Sequence, residues 1–158
     1  MRKWILILVF LLTIQPGYKI ISVLAEETKS TSVSPVIQGK DSIEIKKVIE
    51  TYLQCVAGQD LDCAMSHVSK ESVTEIQFYN GLKLALEGLF KNTAHTSISN
   101  LNVIALDVAD NKATIFVEFR VTRFDLNTVR NSENMRRVQY SLIKEGDAWK
   151  IVRIGPRG

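Results

Sequence analysis

The chain has 158 residues, 46% of them hydrophobic, with 20 basic residues against 17 acidic ones, two cysteines and two histidines. That length supplies one hydrophobic core and leaves no room for two independent domains. The formal charge of +3 is carried by Arg2, Lys3 and Lys19. Their loss with a leader peptide brings the balance to zero and removes the net-charge case for nucleic-acid binding.

Arg2 and Lys3 precede an unbroken apolar run from Trp4 to Leu12, and Gln15-Pro16-Gly17 follows. The run is shorter than the roughly 20 apolar residues a membrane-spanning helix needs. Val23-Leu24-Ala25 then offers the small-residue pattern of a signal-peptidase site. The reading is a secretory signal peptide over residues 1–25, cut after Ala25, and a secreted or periplasmic location. The alternative is an uncleaved anchor. Residues 26–40, EETKSTSVSPVIQGK, are too polar to offset the entropy of ordering and form a linker. The domain proper is placed at residues 41–154, with a short tail at 155–158.

Asp41 or Ser42 is expected to cap the first helix. Ile45, Val48, Ile49, Tyr52, Leu53 and Val56 recur at three- and four-residue steps, giving one apolar face. Gly58 should end the helix in a left-handed conformation. Asp60 can cap a short helix from Leu61 to Val68. Ser72 or Thr74 can open a longer one through Phe90, with Ile76, Tyr79, Leu82, Leu86, Leu89 and Phe90 on its apolar side.

After Asn92 the period changes to two. Leu101, Val103 and Ala105 alternate with Asn102, Ile104 and Leu106. Ala113, Ile115, Val117, Phe119 and Val121 alternate with more polar neighbours. Asp110-Asn111 and Glu145-Gly146-Asp147 mark tight turns. Asp125 to Asn134 reads as a long polar connection between strands. The fold class is α+β: three N-terminal helices packed on a curved four-stranded antiparallel sheet, which buries both apolar surfaces.

Two stretches carry a family resemblance. Thr51 through Ala64 (TYLQCVAGQDLDCA) has an aromatic near the end of helix one, a Gly and Asp turn and a small residue in helix two. Gly146-Asp147-Ala148-Trp149-Lys150-Ile151 has the form of a closing hairpin. In both, the chain resembles the nuclear transport factor 2-like superfamily, a cystatin-like α+β cone that includes the SnoaL and ketosteroid-isomerase-like branch. The superfamily holds enzymes, ligand carriers and assembly domains, so the fold does not select a function. In the isomerase branch a helix-one tyrosine donates a hydrogen bond to a developing oxyanion. The resemblance puts Tyr52 at that position and Glu75 within one residue of the general base. The second acid of the pattern would fall at Val138 to Tyr140, where Gln139 stands.

Other chemistries lack their residues. No Ser sits in a Gly-x-Ser-x-Gly turn, and there is no phosphate-binding glycine loop. His67 and His95 lie in no metal-ligand spacing with Cys or carboxylates, so no metal and no cofactor is expected. Cys55 and Cys63 fall at the end of helix one and the start of helix two. In an exported protein an even count favours a disulfide between them, worth roughly 2–3 kcal/mol for so short a loop. In a reducing compartment they would be two free thiols.

Charge is unevenly placed: Glu26 to Asn111 carries 7 basic and 12 acidic residues, and Lys112 to Gly158 carries 10 and 5. Seven of the eight arginines follow position 119. Arg120, Arg137, Gln139 and Arg153 form a candidate binding face on the side of the sheet away from Phe119. A solvated face balanced by Glu118, Asp125 and Glu133 is the competing reading. Function is therefore expected to be noncatalytic binding or assembly through the cone pocket or the basic sheet face. One alternative is a small isomerase or cyclase-like enzyme using Tyr52 and Glu75. The other is a membrane-anchored assembly domain of an envelope complex, like those of type IV secretion systems. The expected partner is a small apolar ligand or a protein, with no nucleic acid, membrane contact only if the N-terminal segment is retained, and a homodimer through the sheet left open.

Overall fold

The computed structural model describes residues 39–156; the expected signal peptide and most of the expected linker lie outside the described residues. Three helices come first: α1 (Lys40–Ala57), α2 (Leu61–Ser66) and α3 (Val73–Lys91). Four strands follow: β1 (Thr93–Ala109), β2 (Lys112–Asp125), β3 (Arg130–Glu145) and β4 (Ala148–Pro156). The strands pair antiparallel in the order β1-β2-β3-β4. This is the expected α+β architecture.

Helix α1 buries Ile45, Ile49, Tyr52, Leu53 and Val56, the apolar stripe that its spacing dictates. Both of its ends differ from expectation. Gly39 is the N-cap and no side chain caps the helix. Asp41 lies inside the first turn and reaches across to the sheet, accepting from Lys144 Nζ at 2.6 Å and Trp149 Nε1 at 3.1 Å. At the other end Gly58 is right-handed, and Gln59 takes the positive φ of 57°. The Gln59 side chain fixes that turn by donating to the Thr93 carbonyl.

Asp60 caps α2 by accepting from the Cys63 amide at 2.9 Å. Beyond α2, the Ser69 amide donates to the Ile151 carbonyl and the Ile151 amide to the His67 carbonyl, so Val68 pairs in parallel with β4. Ser72 opens α3 through a reciprocal capping box with Glu75. Of the apolar residues expected to face inward on α3, Leu86 is buried but Ile76 is 44% exposed. Ile76 sits in the first turn, before the helix reaches the core.

Two strands begin earlier than alternation alone indicates. β1 starts at Thr93, because its irregular register between Ser99 and Asn102, with Asn100 at φ 55°, hides the period. Such a bulge also bends the strand, curving the sheet around the helices. β3 starts at Arg130, so the connection expected over Asp125 to Asn134 shrinks to residues 126–129. Here Asp125 accepts from the amide and hydroxyl of Thr128, closing a tight turn. Polar residues 130–134 belong to a strand because β2 offers them a complete ladder, from Asp125↔Arg130 to Val121↔Asn134.

The core lies between α1, α2 and the concave sheet face. Ile115, Val117, Tyr140, Leu142, Trp149 and Ile151 meet Ile45, Ile49, Tyr52 and Ala64 there.

Candidate functional site

The family pattern asks Tyr52, Glu75 and a residue near Gln139 to meet inside the cone. Tyr52 is buried, with its ring edge-on to Tyr140 at 6.1 Å between centroids. Burial raises its pKa to about 12, so the phenol stays protonated. Burial, together with Tyr52, also pushes the Tyr140 phenol up.

Glu75 is engaged elsewhere. One carboxylate oxygen accepts from the Ser69 hydroxyl at 2.5 Å, the Ser72 amide at 3.1 Å and the Glu71 amide at 3.2 Å. The Ser69 hydrogen bond is the main reason its pKa falls below the ordinary value. Gln139 pairs with Phe116 across the β2–β3 ladder, one position from inward-facing Tyr140, and so points to the opposite face. The three groups therefore do not converge, and Tyr52 packs into a filled interior.

On the outer sheet face Arg120 pairs with Glu133 at 2.8 Å, and Arg137 pairs with Glu118. These are exposed, mutually neutralising pairs of little energetic weight. Gln139 and Arg153 line a depression of about 310 Å³ with Ser141 and Gly155.

Cys55 and Cys63 are joined in a disulfide with their Cα atoms 5.6 Å apart. His67 stands beside them, with a ring nitrogen and both sulfurs all within 4.8 Å of one another. His67 is the right-handed C-cap of α2, four residues after Cys63, so the helical step sets its imidazole beside the bridge, a spacing already present in the sequence. While the bridge is intact the sulfurs are not thiolates, so this trio offers no metal the donor set of a thiolate site. Burial first, and then the Lys150 charge, lower the His67 pKa.

A second group of arginines was missed by reading the basic residues as one face. Arg123 lies in register with Ser132 on β3 and Thr96 on β1, and Arg136 lies opposite buried Phe119. Directly paired residues share a face, so all four side chains belong to the helix side of the sheet. The signal was present in the sequence: Arg123 has the same parity along β2 as Phe119 and Val121. Arg123 Nε is buried without a hydrogen-bond partner, as is the hydroxyl of Thr96, a residue only 3% exposed. Among the described residues no ion pair includes Arg123 or Arg136. Desolvation, and then the neighbouring Arg136 charge, depress Arg123. Beside it opens a cavity of about 380 Å³, lined by Thr93, Arg123, Asp125 and Ser132 on the sheet, by Ala85, Gly88 and Leu89 on α3, and by Asn92 at the end of that helix.

No protein-family model matches the sequence, and no curated protein does. Solved structures do. A nuclear transport factor 2-like superfamily protein from Salmonella enterica aligns with TM-score 0.60 and 16% identity, over 73% of this chain and 91% of that one. A ketosteroid isomerase-like protein from Erwinia carotovora aligns with TM-score 0.63 and 10% identity, over 74% and 95%. A Bdellovibrio bacteriovorus protein aligns with TM-score 0.59 and 13% identity over 73% of this chain, which spans only 41% of that longer one. At these identities the likeness establishes the fold, the nuclear transport factor 2-like cone, and leaves chemistry to the residues.

Proposed function

We propose that this chain, a nuclear transport factor 2-like cone, is an exported noncatalytic binding domain that takes its ligand or partner at the open end of the cone. The observation that carries the reading is the fate of Tyr52 and Glu75. The tyrosine is buried in the core, edge-on to Tyr140, and the carboxylate is spent on Ser69 and the start of α3. An acid/base pair must reach one substrate; these two serve packing and capping. Export, with cleavage after Ala25, is part of the proposal and rests on the apolar leader and the Val23-Leu24-Ala25 pattern. The Cys55–Cys63 bridge suits an oxidising compartment.

The experiment is an NMR titration of the tyrosine ring carbons, with and without a phenol as oxyanion mimic. Tyr52 should stay protonated until about pH 12 and ignore the phenol. A Tyr52 signal that moves on adding phenol would mark an open oxyanion site and restore the isomerase reading.

A further inference from the structure

We infer that Cys55, Cys63 and His67 form a site for a thiophilic metal ion, Cu(I) or Zn(II), that becomes available when a dithiol reduces the bridge between the two cysteines. The disulfide is the closed form of the site and the dithiol the open one.

The three donors are already gathered. A ring nitrogen of His67 and both sulfurs lie within 4.8 Å of one another. Donors bound at about 2.0–2.3 Å to a single ion are at most about 4.6 Å apart, so a small side-chain adjustment lets all three share one ion. Among the described residues no other three His, Cys, Asp or Glu side chains come so close. Cys63 and His67 are four positions apart on α2 and its C-cap, the step that puts two side chains on one helix face. Cys55 comes from the last turn of α1, its Cα 5.6 Å from that of Cys63.

The backbone between the cysteines does not depend on the bridge. The Asp60 amide donates to the Cys55 carbonyl at 2.9 Å, and the Asp60 carboxylate accepts from the Cys63 amide at 2.9 Å. When the sulfur–sulfur bond is cut, the sulfurs can part by rotation about their own side-chain bonds while this turn holds.

The chemistry then selects the ion. A dithiol gives two electrons and two protons to the bridge, closes its own disulfide and leaves Cys55 and Cys63 as thiols. The metal ion displaces both thiol protons to solvent and takes two thiolates and a neutral imidazole. Two soft sulfurs and one imidazole suit Cu(I) or Zn(II) and not Mg(II) or Ca(II). Cys55 is buried, whereas Cys63 and His67 are half-buried, and His67 lines a cavity of about 310 Å³ with Thr51 and Lys150. An ion enters from that side, and a water there can complete the four-coordinate shell of Zn(II). The Lys150 ammonium, anchored on the Ser66 carbonyl at 2.7 Å, offsets the surplus negative charge that two thiolates leave around Cu(I).

The test titrates Cu(I) and Zn(II), each alone, into the intact protein against a chromophoric chelator, with and without prior reduction by a phosphine under argon. The reduced protein should take one equivalent of at least one of these ions, and the disulfide form none. His67→Gln should weaken uptake by more than the roughly 10–100-fold that losing a group behind a metal ligand costs. His95→Gln, on β1, should leave uptake unchanged. If reduction alone unfolds the chain, the ion should restore the native amide spectrum. Uptake of neither ion, equal uptake by the disulfide form, undiminished affinity in His67→Gln, or an unfolded reduced chain that no ion restores would each overturn the inference.

Discussion

Glu75 is the residue at which the structural and enzymatic readings part most sharply, and Glu75→Ala separates them. Its carboxylate is the acceptor for the hydroxyl of Ser69, a residue 1% exposed, and for the amides of Ser72 and Glu71. Truncation leaves the buried hydroxyl without its acceptor, a cost of about 1–3 kcal/mol. It also removes half of the capping box and the one acidic charge in the first turn of α3, about 0.3–1 kcal/mol more. The two exposed amides can turn to water, so the sum settles near 2–3 kcal/mol rather than higher. For a domain of this size that is roughly a 10 °C fall in melting temperature.

The pH dependence has a definite sign. The Glu75 pKa is lowered in the folded state, first by the Ser69 hydrogen bond. Its contribution is therefore present above the unfolded carboxyl value near 4.5 and is lost as pH falls through the depressed native value. Urea denaturation from pH 7 down to pH 3 should show the wild type losing ground to Glu75→Ala's flatter acid limb. Glu75→Gln, which keeps an acceptor oxygen without the charge, should fall between them. A Glu75→Ala protein as stable as wild type at neutral pH, with an unchanged acid limb, would refute the capping assignment and return Glu75 to the list of free carboxylates.

Replacing Cys55 by Ser opens the Cys55–Cys63 loop, whose cross-link spans a sequence separation of 8. It should cost about 2–3 kcal/mol in guanidinium denaturation, and wild type in reductant should show the same loss; equal stability with and without reductant would contradict this. Asp41→Asn removes the charged acceptor shared by Lys144 and Trp149. Amide exchange should quicken over Lys40 to Glu44 and in the β3–β4 hairpin, while β1 and β2 stay protected.

Most of the fold was legible because its elements obey clean periods. Ile45 through Val56 follow the helical step, Ala113 through Val121 alternate strictly, and the β1–β2 and β3–β4 turns carry residues that tolerate positive φ, Asp110 and Gly146. The failures sit where local chemistry is overruled by a partner. Asp41 looks like a cap until Lys144, over a hundred positions later in sequence, claims its carboxylate. Residues 130–134 look like a loop because every one is polar, yet a strand needs only a neighbour's ladder on one edge. Tyr52 illustrates the same limit at the candidate site. Its position on the apolar stripe was readable, but whether it faced a cavity depended on Tyr140 filling the space.

The arginines show how the sheet turns one run of charge into two chemically different surfaces. Arg120 and Arg123 lie three residues apart on β2 and Arg136 and Arg137 are adjacent on β3, so each pair splits across the sheet by the two-residue period. The outward members stand where the register brings Glu118 directly opposite Arg137 and Glu133 one diagonal from Arg120. The inward members meet Ser132, Thr96 and Phe119 instead. One acid at position 132 or 96 would have neutralised Arg123 inside the protein. Serine and threonine in those places leave the Arg123 Nε buried without a partner.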